Sequence, residues 1–245
     1  SYVGTLRTVF SMAKRWKYVV ENPFSDVPLP KWEKPRPRTY SIEEIRAILR
    51  MTAQHAPECL DIFLVYLLTG MRASEAIRLE WQDIHFEQGY IELKQTKGKK
   101  IRYVPMGPIV RAIFLRRRSA VRPFDTFVRS STHRKQQRKF DGMFLSKQWK
   151  RMANLAGVPD AQLKRTRGTY ATALLEVANV SLLAAQSIVG HADIETTKQY
   201  YFNPLSEDIL EKIPAIDAMF QDLLPQKTEQ IVGNKWATPP ENPRN

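Results

Sequence analysis

The sequence predicts a mainly α-helical protein carrying a small antiparallel β-sheet. Three observations predict it: apolar residues recur at helical spacing over most of the chain, one stretch alternates apolar and polar residues, and prolines and glycines punctuate the boundaries. With 245 residues, 43% of them hydrophobic, the chain is long enough for one sizeable core or one domain plus part of another.

In residues 1 to 20, Leu6, Val9, Phe10, Ala13 and Trp16 share a stripe from which Arg7, Lys14 and Lys17 largely depart, predicting one amphipathic helix. Its opening carries no capping signal, so residues 1–27 are read as the end of a larger N-terminal helical domain. The five prolines of "NPFSDVPLPKWEKPRPRTY" predict an extended linker over residues 28–39. Lys31, Lys34, Arg36 and Arg38 give that linker a positive edge, suited to a phosphate backbone or simply to solvent.

A main domain over residues 40–224 opens at "SIEE", a capping box with Ser41 as N-cap, Glu44 three residues on, and Tyr40 and Ile45 placed as a hydrophobic staple. "CLDIFLVYLLTG" predicts a buried helix stopped by Gly70, and "ASEAIRLEW" a shorter helix after it. "GYIELKQTKGKKIRYVPM" alternates on both sides of a Lys-Gly turn and predicts a β-hairpin. Residues 109–118 return to helix and end in Arg116, Arg117 and Arg118, and "HRKQQRKF" at 133–140 reads as a basic loop. Trp149, Met152, Leu155 and Ala156 mark the apolar face of another helix. Thr166 to Val189 keeps a helical period, interrupted near Asn179 and Val180. Ile209, Leu210, Ile213, Ile216 and Phe220 fall on roughly one face of a further helix, whose simplest partner is its own domain. Residues 225–245, polar and rich in proline, predict disorder.

Charge narrows the function. Lys and Arg number 38 against 25 Asp and Glu, a formal net charge of +13 spread along the chain, which is the footprint of a polyanion partner. The single cysteine, Cys59, permits neither an internal disulfide nor a CxxC motif. His55, His85, His133 and His191 are scattered, and neither a P-loop nor a Rossmann glycine pattern occurs, so no metal or nucleotide cofactor is indicated. No apolar run approaches the roughly 20 residues of a membrane span, and no signal h-region is present, so a cytoplasmic protein acting on nucleic acid is expected.

Three stretches, "TGMRASEAIRL", "QTKGKKIRYVP" and "RTRGTYATALLE", each present a cation at or near the end of an element. Singly, Arg72 reads equally as a helix cap or a partner of Glu75, Lys97 as a turn lysine, and Arg167 as a surface charge. Their order decides. The series Arg72, Glu75, Lys97, Lys164, Arg167, His191, Tyr200 strongly resembles the tyrosine recombinase (phage integrase) family over residues 1 to about 205. Its boxes appear here as "TGMRASE", "TKGKK", "KRTRGTYAT" and "VGHADIETTKQY". Two positions depart from the commoner pattern: Lys164 stands where many relatives have histidine, and Gly168 where many have histidine after the second arginine. Arg165 rivals Arg167 as the box arginine, and the distance to "TYAT" favours Arg167, leaving Arg165 as a backbone-phosphate contact or a surface charge.

The resemblance implies the family's catalytic-domain fold, with residues 1–27 belonging to a core-binding domain. It implies double-stranded DNA at a specific site as substrate, a monomer that becomes a homotetramer on DNA, and accessory DNA-bending or directionality proteins. It also implies that the C-terminal helix docks on a neighbouring protomer, an alternative to packing on its own domain. The chemistry suits the residues. A phosphodiester is anionic and its alkoxide leaves poorly, so a metal-free enzyme must neutralise charge and donate a proton. Arg72 and Arg167 offer planar forks to the non-bridging oxygens, and His191 a further donor. Lys164 is placed on the phosphate or the tyrosine, Lys97 on the departing 5′ oxygen, and Tyr200 as nucleophile. A catalytically silent DNA-binding protein and a type IB topoisomerase are the competing readings. Within the family, the basic stretch between residues 111 and 140 and the variant second box favour an integrase of a phage or mobile element.

Overall fold

The computed structural model describes residues 2–28, 38–94, 101–118, 127, 141–190 and 205–223. The chain divides into two compact units, Ser1–Arg36 and Pro37–Asn245.

The first unit is built on α1 (Tyr2–Arg15). The expected helix over residues 1–20 stops earlier, because Lys17 turns to φ +63° and the Tyr18 amide reaches back to the Ala13 carbonyl at 2.9 Å. The chain then returns along α1. Arg7 donates to the carbonyls of Phe24, at 2.9 Å, and Val27, the Asn22 amide bridges the Arg7 carbonyl and Ser11, and Phe10 meets Phe24 with ring centroids 5.2 Å apart.

The second unit begins at the predicted capping box. Ser41 Oγ accepts from the Glu44 amide at 3.2 Å and the Glu44 carboxylate accepts from the Ser41 amide at 3.0 Å, starting α2 (Ile42–His55). Tyr40 and Ile45, the two staple residues, are both buried. Next comes α3 (Pro57–Thr69), the centre of the core: every residue from Leu60 to Thr69 except Asp61 is buried, and it packs on α2 and on three later helices. Gly70 ends it in the left-handed conformation, φ +59°. The short α4 (Ala73–Arg78) follows, and "EW" leaves the helix for a 3-10 turn at Trp81–Asp83.

Strands β1 (Ile84–His85), β2 (Tyr90–Lys94) and β3 (Ile101–Pro105) form an antiparallel sheet in the order β1-β2-β3. In the predicted hairpin Ile91 faces Val104, Leu93 faces Arg102 and Lys94 faces Ile101. The helices α5 (Pro108–Arg118), α6 (Gly142–Leu155), α7 (Arg165–Glu176) and α8 (Leu182–Val189) complete the body. Trp149 on α6 is fully buried between Tyr40 and Phe63, with centroids at 5.8 and 5.1 Å, and donates to the Tyr40 hydroxyl at 3.2 Å. Asn179, at φ +48°, makes the expected break between α7 and α8.

Two further expectations are corrected. Leu155 is exposed; the buried stripe of α6 is Leu145, Trp149, Met152 and Ala153, and Leu155, six positions beyond Trp149, falls 240° round the helix from it. The C-terminal helix is broken into α9 (Glu207–Lys212) and α10 (Pro214–Ala218), because Pro214 has no amide to continue the ladder. Ile209, Ile213, Ile216 and Phe220 nonetheless share one face, buried in the core of their own domain, while Leu210 is only partly covered. Arg46 on α2 clamps this segment by donating to the Met219 carbonyl at 2.8 Å, and Asp217 accepts from the Ile109 amide at 2.6 Å, acting as a remote cap for α5. Much of the basic end of α5 is structural: Arg116 and Arg117 both pair with Asp61 of α3, the latter at 2.9 Å. Among the described residues no helix is long and apolar enough to cross a membrane.

Candidate functional site

Arg72 owes its position to the end of one helix at Thr69 and the start of another at Ala73. Thr69 turns its hydroxyl back to the Val65 carbonyl, Gly70 closes α3, and Arg72 is the N-cap of α4 with extended backbone. At that break the Glu75 carboxylate accepts from the Arg72 amide and from its guanidinium, each at 2.7 Å. Capping and pairing with Glu75 therefore occur together, and they leave the Arg72 side chain 46% exposed.

Arg167 projects from the first turn of α7 and is 11% exposed. That turn is fastened to the domain entrance: Thr169 accepts from the Tyr40 amide at 3.0 Å, while the Tyr40 hydroxyl accepts from the Gln162 amide at 2.7 Å and donates to its carbonyl at 2.9 Å. Arg167 donates to the carbonyls of Gly70 and Gly190, both at 2.9 Å, and lies 3.9 Å from Glu75. Arg72 reaches the same Gly190 carbonyl at 3.2 Å. Two of the sequence boxes thus converge on the residue that precedes His191.

Gly190 ends α8 at φ +76°, and a Cβ there would lie 2.8 Å from the Arg102 side chain. A Cβ on Gly70 would lie 2.7 Å from the Tyr170 ring. Both glycines are thus required twice over, by conformation and by space.

Sequence reasoning missed Arg102. It lies on β3, is 5% exposed, pairs with Glu75 at 2.6 Å and donates to the carbonyls of Ile188, at 2.7 Å, and Val189. Three guanidiniums therefore surround one carboxylate. Burial alone would oppose ionisation of Glu75, but Arg102 and the Arg72 donors outweigh it and hold its carboxyl below the ordinary range. Burial, with Arg102 and then Arg72 adding to it, presses the Arg167 guanidinium down to about 9. Arg167 remains charged at neutral pH, in a cluster whose excess positive charge an entering anion would relieve. A cavity of about 470 Å³ adjoins the cluster, lined by Arg72, Ser74, Glu75, Arg78, Asp83 and Lys94 among others. Lys94 pairs with Asp83 at 2.5 Å and ties the turn end of β2 to the 3-10 turn.

Lys164 is exposed at the N-cap of α7, three residues from Arg167, so a helical turn puts both on one side. Arg165, the first residue of α7, is half-buried. Arg38 pairs with Glu44. Gly168 leaves room for a side chain, the nearest atom to an added Cβ being Thr39 Cγ2 at 3.8 Å. Lys97, His191, Tyr200, Lys31, Lys34 and Arg36 lie outside the described residues, as do the basic loop at 133–140 and the segment after residue 223. Their flanks are described: the hairpin is paired up to Lys94 and Ile101, and α8 runs to the residue before Gly190.

The phage integrase family model matches residues 40–207, well over half of the chain. Tyrosine recombinase XerD of Staphylococcus epidermidis is 30% identical over 208 residues, covering 81% of this chain and 69% of that protein. Its namesake in Staphylococcus aureus is 30% identical over 213 residues with the same coverage. Among solved structures, the integrase of mycobacterium phage Brujita aligns with a TM-score of 0.55 at 18% identity, over 94% of this chain and 75% of that one. A lambda integrase dimer bound to a COC′ core site aligns at 0.60 and 17%, over 82% and 74%. A lambda integrase tetramer bound to a Holliday junction aligns at 0.60 and 16%, over 82% and 60%. The ordered boxes, the arginine cluster they build and these likenesses agree: the chain belongs to the phage integrase family of tyrosine recombinases.

Proposed function

We propose that this protein is a site-specific DNA recombinase that cleaves and rejoins strands through a 3′-phosphotyrosine, using neither metal nor ATP. The observation that carries the reading is the convergence of Arg72 and Arg167 on the Gly190 carbonyl, beside a single carboxylate shared by three guanidiniums. Such a cluster holds a phosphodiester by bidentate donors and stabilises the charge that grows on its non-bridging oxygens.

In this reading Tyr200 Oη attacks the phosphorus, the bond to the 5′ oxygen breaks, and Lys97 at the hairpin turn gives that oxygen its proton. His191, next to Gly190, adds a donor to the phosphate, and Lys164 contacts the phosphate or the tyrosine from the start of α7. The surrounding cations favour the phenolate of a residue whose ordinary pKa is about 10. The phosphotyrosine keeps the energy of the broken bond, so a 5′-hydroxyl from another strand reverses the attack. Strand exchange follows from that reversal.

The partner is double-stranded DNA, bound by a protein that is monomeric when free and a homotetramer on its site, with DNA-bending or directionality proteins assisting. The net charge of +13 and the fold shared with a lambda integrase tetramer on a Holliday junction support this. Residues 1–27 belong to a core-binding domain, residues 28–39 form a linker whose Lys31, Lys34, Arg36 and Arg38 follow the DNA backbone with Arg165, and residues 40–224 form the catalytic domain. The sites of action are in the cytoplasm, on DNA.

A nicked duplex carrying the site recovered by selection on randomised DNA tests the reading, because the nick lets the short fragment bearing the freed 5′-hydroxyl escape and traps the covalent step. Adduct formation in excess EDTA is expected. Specific binding without adduct would identify a silent DNA-binding protein instead.

A further inference from the structure

We infer that Arg102 is a positioning residue of the phosphate site, acting through Glu75: it holds the carboxylate 3.9 Å from Arg167, so that Arg167 is only partly neutralised and keeps charge for the scissile phosphate. The inference rests on the reading of Arg72 and Arg167 as the phosphate holders.

The division of the Glu75 oxygens carries it. Oε1 takes the Arg72 guanidinium at 2.7 Å, while Oε2 takes the Arg72 amide at 2.7 Å and Arg102 Nη2 at 2.6 Å. Arg167 is left 3.9 Å from Oε2, and its own short hydrogen bonds go to neutral carbonyls, those of Gly70 and Gly190. Without Arg102 the carboxylate has only Arg72 and Arg167 to satisfy it, and with Arg72 Nη1 already on Oε1, Arg167 is the guanidinium placed to take Oε2. The cluster would fall from three cations against one anion to two against one.

Arg102 also holds the geometry. Its Nη1 donates to the carbonyls of Ile188 and Val189 at the C-terminal end of α8, where a helix presents negative potential. That fixes the turn whose next carbonyl, on Gly190, receives both Arg72 and Arg167. Because β3 is one arm of the hairpin that leads to Lys97, a single buried side chain joins the hairpin, the Glu75 helix and the end of α8.

A charge role and a purely structural role predict opposite outcomes in a double variant. Inorganic phosphate is the probe, and its affinity is read from the rise of Tm with phosphate at constant ionic strength made up with chloride. Loss of one cation from the cluster should weaken phosphate binding about tenfold in Arg102→Met. Glu75→Gln should bind phosphate more tightly than wild type, and Arg102→Met with Glu75→Gln should return to within about threefold of it. Wild-type affinity in Arg102→Met, or a double variant no tighter than the single, would overturn the inference.

If Arg102→Met does not fold, Arg102→Lys serves. It keeps the charge but cannot span Glu75 and the α8 carbonyls together, so it should lose thermal stability and keep phosphate affinity within about threefold. Weakening by tenfold there would also overturn the inference. The recombinase reading fails separately: a wild type that follows the phosphate series yet forms no adduct with site DNA sinks that reading alone. A wild type that forms the adduct but shows no phosphate-specific stabilisation sinks this inference alone.

Discussion

Arg72 and Arg167, 95 positions apart in the chain, donate to one and the same acceptor, the Gly190 carbonyl, at 3.2 and 2.9 Å. Arg72 is held as the N-cap of α4 and Arg167 also by the Gly70 carbonyl, so the pair is set in place before any DNA arrives. A lysine in either place keeps the charge but loses the fork. Arg72→Lys and Arg167→Lys should each slow adduct formation by about 10²–10³ while DNA affinity changes only a few-fold. Single-turnover adduct rates at saturating protein, beside anisotropy binding curves, separate the two effects.

Gly70 and Gly190 should not tolerate a side chain. Alanine meets a left-handed backbone at both, plus the Tyr170 ring at Gly70 and the Arg102 side chain at Gly190. A loss of about 2–4 kcal/mol in urea unfolding is expected for each. Gly168 is the contrast: its α7 backbone is helical and an added Cβ meets only Thr39 at 3.8 Å. Gly168→Ala should gain about 0.5–1 kcal/mol.

Asp217 gives the fold a pH dependence of unusual sign. Burial pushes its carboxyl up to about 7, against the Ile109 amide that favours the charged form. The folded state therefore holds this proton more tightly than the unfolded chain. The contribution is full below about pH 4 and is lost as pH rises through 7. Asp217→Asn should be more stable than wild type at pH 8, by an amount on the order of 2–4 kcal/mol, and the advantage should vanish at pH 4. Thermal melts across that range check it; a wild type that gained stability relative to the variant between pH 4 and 7 would show the sign to be wrong.

Duplex binding should weaken steeply with salt. Each neutralised phosphate contributes about −0.9 to the slope of log affinity against log salt, so several contacts give a slope of several units. A flat dependence between about 50 and 200 mM salt would contradict a basic DNA-binding surface.

Much of this fold was legible because its signals are local. The capping box at Ser41, the stop at Gly70, the hairpin and the break at Asn179 each depend on residues within a few positions. Leu155 sits on the far side of its helix from Trp149 despite being apolar, and the single C-terminal helix gives way at Pro214, which interrupts an otherwise continuous apolar pattern. Arg102 was hidden because its partners are 27, 86 and 87 residues away. A signal existed nonetheless. Arg102 shares the inward phase of β3 with Val104, opposite Leu93 and Ile91, and a charge in that phase demands a buried partner. Asp217 lay in an apolar helix beside Ile216 and carried no such mark, since its partner is a backbone amide on α5.

The central claim is that Tyr200, spaced nine residues from His191, is the nucleophile of a site assembled by Arg72 and Arg167. The most direct measurement is mass spectrometry of the adduct trapped on the nicked site, after nuclease and protease digestion. A nucleotide on Tyr200, absent in Tyr200→Phe and retained in Tyr201→Phe, is the predicted result; a nucleotide on Tyr201, or on no tyrosine, would contradict it.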